Sequence, residues 1–137
     1  RPRIMASELR VNTLKDASGN NSIATSFVAR GPLKGWVNFN GTGTIAARDS
    51  LNLSSLTDNG SGEYTITYSS AFSAVDYAFT GCSGQSSGGS RTTGGMTFDD
   101  FSATVTTTSH RILSRKKDDA SNVDCANQHC HTSGDLA

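Results

Sequence analysis

The sequence is short of most features that point to a function. Charge of one sign is missing: Lys+Arg and Asp+Glu number 12 each, and the formal net charge is zero. A nucleic-acid binder or a membrane-surface protein carries a basic footprint, so neither is expected. No apolar run approaches the roughly 20 residues of a membrane helix, so no membrane insertion is expected. No charged and then apolar leader precedes a small-residue cleavage site, so no secretory signal is expected. There are three cysteines, Cys82, Cys125 and Cys130. An odd count is no disulfide framework. No paired C-x-x-C supports a zinc ribbon or finger, and the thiols suit a reducing cytoplasm. Large apolar residues are also scarce, with Leu, Ile, Val and Phe filling 25 of 137 positions. That content borders on the disordered range, but disorder also needs a high net charge. One domain with a lean core, short strands and support from neighbouring subunits is expected.

Catalytic motifs are missing as well. The only glutamates are Glu8 and Glu63, and neither has a carboxylate partner in a recognisable motif. The adjacent pairs Asp99-Asp100 and Asp118-Asp119 alternate to opposite faces of a strand and read as solvated turn charges. There is no G-x-S-x-G elbow, phosphate loop or H-E-x-x-H. A Cys82–His110 nucleophile has no local support. The chain is read as a non-enzyme.

What is present is alternation. WVNFN (36–40) puts Val37 and Phe39 on one face, and LNLSSL (51–56) puts Leu51 and Leu53 on one face. TDNGSG (57–62) carries the Asn-Gly signal of a tight hairpin turn. EYTITYS (63–69) alternates through Tyr64, Ile66 and Tyr68, and VDYAFTG (75–81) through Val75, Tyr77 and Phe79. A Gly/Ser-rich loop of about fifteen residues (81–95) follows, of the kind that is functional or mobile in compact domains. Its residues Gly84, Gln85, Ser86 and Arg91 are candidate binding positions. MTFDDF (96–101), SATVTTT (102–108) and SHRILS (109–114) are further strand candidates, and RKKDDAS (115–121) an exposed turn. The expected fold is all-β: an antiparallel sandwich or jelly-roll-like domain over 34–137 behind an extended N-terminal arm, 1–33. The arm includes ELRVNTLKD (8–16), whose Val11, Asn12 and Thr13 are poor helix formers. Its Leu9, Val11 and Leu14 are candidate oligomerisation residues. Trp36 is expected in the core more readily than at a subunit contact.

The stretch Trp36 to Thr44, with Arg48-Asp49-Ser50 and Ser55 to Thr65, resembles a module of phage tail-fibre and virion-surface proteins of marine tailed bacteriophages, the cyanophages and pelagiphages. MASELRVNTLKDASGNNSI (5–23) resembles the opening of such proteins, with Met5 as the natural start and Arg1 to Ile4 as an upstream extension or tag remnant. GDLA (134–137) resembles their ends. Residues 82–121 diverge, so no binding residue is carried into them. The resemblance implies a non-enzymatic structural protein on the tail or capsid exterior, assembled in the host cytoplasm and often trimeric. Its partners would be other virion proteins and a host surface glycan or protein. A capsid decoration protein and a carbohydrate-binding module are the alternatives.

Near the end, NVDCANQHCH (122–131) reads as the last strand. Alternation sorts Val123, Cys125, Asn127, His129 and His131 to one face and turns Cys130 away. His129 and His131 then stand about 7 Å apart. One chain supplies two ligands, and three chains around an axis would supply six imidazoles for a first-row divalent metal. Some phage fibres resemble this plan with H-x-H and iron. Iron or zinc between subunits is set against a polar terminal strand without metal, and no cofactor is required.

Overall fold

A computed structural model describes residues 10–15, 17–19, 22–25, 28, 32–84, 95–99, 104–116 and 121–137. It divides the chain into two compact units, Arg1–Pro32 and Leu33–Ala137. Within the first, β1 (Thr13–Lys15) pairs antiparallel with β2 (Ser22–Ala24). Thr25 extends the pairing by donating its N–H to the Asn12 carbonyl at 3.0 Å. Within the 8–16 segment, Thr13–Lys15 is thus an extended hairpin strand.

The second unit is one eight-stranded antiparallel sheet. In chain order its strands are β3 (Leu33–Asn40), β4 (Ala46–Leu51), β5 (Leu53–Gly60), β6 (Glu63–Tyr68), β7 (Ala78–Gly84), β8 (Gly95–Asp99), β9 (Ser109–Lys116) and β10 (Asn127–Ser133). In space the order is β4-β3-β10-β7-β8-β9-β6-β5. The edge strands β4 and β5 do not hydrogen-bond, so the sheet is not closed into a barrel. It folds over instead: Val37 and Phe39 of β3 and Cys130 of β10 share one buried cluster with Tyr64, Ile66 and Tyr68 of β6 and Ile112 of β9. The Phe39 and Tyr64 rings meet edge to face at 5.2 Å. The expected all-β antiparallel class holds.

Alternation explains the lean core. β3 and β6 each bury every second residue, and a fully buried Phe or Ile contributes about 1.5–3 kcal/mol. A few aromatic residues spaced by two thus supply most of one layer.

Other expectations are corrected. Leu51 and Leu53 do not share one strand, because Asn52 between them adopts φ 60°. Its side-chain amide donates to the Ser70 carbonyl at 3.1 Å and its oxygen accepts the Ser70 N–H at 2.6 Å. This kink sends β4 and β5 to opposite edges. The hairpin turn falls at Ser61-Gly62 and not at Asn59-Gly60. Residues 104–108 are not a strand. Thr106 turns its own hydroxyl onto the Thr108 and Ser109 N–H groups at 3.2 and 2.9 Å, a local bond that competes with ladder pairing.

Candidate functional site

β10 lies between β3 and β7, and the two ladders set what surrounds its histidines. His129 pairs with Asn38 on one side and Cys82 on the other. His131 pairs with Trp36 and Thr80. Directly opposed residues share a face, so two rows form on the outer surface: Asn38–His129–Cys82 and Trp36–His131–Thr80. Leu51 extends the second row beyond Trp36. A bulge in β4 makes Arg48 an extra residue. Its guanidinium donates to the Asn38 Oδ1 at 3.0 Å and to the Ala126 carbonyl at 2.6 Å. The bulge therefore locks the edge strand to the approach to β10.

The two histidines do share this outer face, and Cys130 between them turns into the core. Burial pushes its thiol pKa up. Cys125, expected on the same face farther along the strand, is not there. The chain bends at Ala126 before β10 begins, and Cys125 is buried, its sulfur contacted by the Ser114 hydroxyl at 3.7 Å. Trp36, expected in the core, stands on the outer face, half-buried. Among the described residues no three of His, Cys, Asp and Glu are placed to hold a metal ion.

Gly84 ends β7 opposite Asn127. Gln85, Ser86 and Arg91 lie outside the described residues, as does Leu9. Val11 and Leu14 are described and exposed. Sequence reasoning missed Cys82 as the neighbour of His129. Alternation through Tyr77 and Phe79 does put Cys82 outward, but the β7–β10 pairing joins residues far apart in the chain and leaves no local signal.

The interior holds a second polar cluster. The Tyr68 hydroxyl lies 2.9 Å from His110 Nδ1 and 2.6 Å from the Thr132 hydroxyl. His110 Nε2 is buried without a partner. We assign the proton to Nδ1, which donates to Tyr68, while Tyr68 donates to Thr132. This leaves a bare lone pair at Nε2 in place of an orphan N–H. Desolvation lowers the His110 pKa to about 4 and raises that of Tyr68. Cys82 is exposed on the outside and His110 is buried within, so the two do not form a nucleophile pair.

Several polar residues between Trp36 and Thr65 bond within the sheet and its turns. Asn40 and Thr42 bond each other across the β3–β4 turn, the Thr42 hydroxyl donating to Asn40 Oδ1 at 2.9 Å. Asp49 accepts the Ser50 N–H at 2.8 Å. The Tyr64 hydroxyl reaches the Gly41 carbonyl at 2.7 Å and Asp124 at 3.0 Å, tying the turn to the loop before β10. Compared with known proteins, the chain matches no family model, no curated protein and no solved structure.

Proposed function

We propose that this chain is a non-enzymatic structural subunit of a tailed-phage virion, of the tail-fibre or adhesin group, assembling as a homotrimer through its N-terminal arm. The observation that carries the assembly is the β1–β2 hairpin. Leu14 and Ile23 are directly paired across it, so they share one face, and both are exposed. A two-stranded hairpin is marginal in water by itself, and an exposed apolar pair of this kind calls for a covering surface. The signature over 36–65 supports the virion assignment. Native mass spectrometry at neutral pH, with and without a chelator, tests the reading. A trimer is expected, and the Leu14→Asp chain should be monomeric. A wild-type monomer would sink it. A metal mass carried by the trimer and lost to the chelator would place six imidazoles of His129 and His131 at an axis. A metal-free trimer would remove that site and leave the assembly intact.

A further inference from the structure

An open groove of about 430 Å³ lies where β3 begins and β4 ends, lined by Leu33, Leu51 and Leu136 with Lys34, Asn52, Ser69 and Ser70. The three leucines are 44%, 48% and 37% exposed. The volume lies in the range of small-molecule pockets, about 300–1,000 Å³. Its polar wall is turned on itself, however. The Asn52 amide bonds the Ser70 backbone in both directions, and the Asn52 carbonyl accepts the Ser69 N–H at 3.1 Å. A small ligand needs convergent polar groups to orient it, and apart from Lys34 at the lining these amide and backbone groups are engaged with each other. The groove is therefore suited to aliphatic side chains.

The geometry points to one occupant: the Leu14–Ile23 face of the β1–β2 hairpin from a second copy of this chain. This rests on the arm-mediated assembly proposed above and names the surface that receives the arm. Three observations select the hairpin. Leu14 and Ile23 are 43% and 44% exposed and lie side by side, so they present one apolar plug. Charge is complementary: residues 1–32 carry five Lys/Arg and two Asp/Glu, whereas 33–137 carry seven and ten. The arm is thus +3, or +1 counted from Met5, and the sheet domain −3. Finally, both sheet edges are bulged, β4 at Arg48 and β5 near Ser54 and Asn59, and bulged edges resist strand-to-strand association. A plug on one copy and a socket on the next make a heterologous contact, the kind that forms a ring when its rotation closes.

The test uses the full chain in four samples, followed by native mass spectrometry and sedimentation: wild type, Leu14→Asp, Leu51→Asp, and the two variants mixed. Each single variant should weaken self-association about tenfold or more, as expected for removing a central apolar contact. The mixture should form a 1:1 heterodimer, because the intact hairpin of Leu51→Asp can enter the intact groove of Leu14→Asp. Leu136→Asp stands in if Leu51→Asp loses its near-UV circular dichroism. If Leu14→Asp dissociates while both groove variants assemble normally, the groove is not the receptor, although the arm still drives assembly. If all variants assemble like wild type, both the groove and the arm-mediated reading fail. A mixture that stays monomeric also overturns the plug-and-socket contact.

Discussion

His110 is 2% exposed, in contact with the Phe79 ring at 4.6 Å, and among the described residues its ring bonds Tyr68 through Nδ1 and leaves Nε2 without a partner. That environment penalises the imidazolium, and the consequence is a pH dependence of known sign. The folded protein keeps His110 neutral down to about pH 4, whereas an unfolded chain takes up the proton near pH 6.5. Between these values the unfolded state binds the extra proton, so stability falls as pH drops from about 6.5 and this loss levels off below about 4. At roughly 1.4 kcal/mol per pKa unit the full effect is on the order of 3 kcal/mol, with about 2 kcal/mol lost by pH 5. Urea denaturation at several pH values should show this decline. The His110→Gln chain, which has no imidazole to charge, should show a shallower one. An equal slope in both would mean that His110 is not the group responsible.

Among the elements, the β5–β6 hairpin shows best what the sequence specifies and what it does not. The alternation of EYTITY is legible because period-two burial is a local property, and Tyr64, Ile66 and Tyr68 are all buried. The turn was legible in kind but misplaced by two residues. Its position is set by partners distant in the chain: Gly62 donates its N–H to Asp124 at 2.6 Å, and its carbonyl accepts the Ser114 N–H at 2.7 Å. No local pattern contains them. The same holds for the outer face, where the pairing of His129 with His131 was readable from spacing but Cys82 and Trp36 arrived by sheet order. Gly62 also carries a prediction. Its φ is +66°, and an added Cβ would stand 2.5 Å from the Ser114 carbonyl oxygen and 2.6 Å from the Val123 nitrogen. Gly62→Ala should therefore cost about 2–3 kcal/mol, combining strain with overpacking. Gly43, with φ +62° and nothing near its Cβ position, bears the conformational strain alone, and Gly43→Ala should cost about 1 kcal/mol. Thermal unfolding of the two variants ranks them. Equal losses would show that the contacts of Gly62 do not matter.

At the scale of the whole molecule, a net charge of zero conceals an uneven distribution. Counted as one body the chain has no basic excess, but counting its two units separately gives +3 for the arm, or +1 from Met5, and −3 for the sheet domain. Opposite fields of this size act over the Debye length, about 10 Å at 0.1 M salt and about 3 Å at 1 M. They steer one copy's arm toward another's domain before any contact forms. The contact itself, Leu14 and Ile23 against Leu33, Leu51 and Leu136, is apolar and insensitive to screening. Steering and holding should then respond differently to salt. Raising salt from about 0.05 M to 1 M should slow subunit association about tenfold. The dissociation rate should change little, because it depends on withdrawing aliphatic side chains from a groove. Subunit exchange between copies labelled with donor and acceptor dyes separates the two rates. A salt-independent association rate would show that the charge asymmetry plays no part in assembly. A dissociation rate that rises steeply with salt would show that ion pairs, not the leucines, hold the copies together.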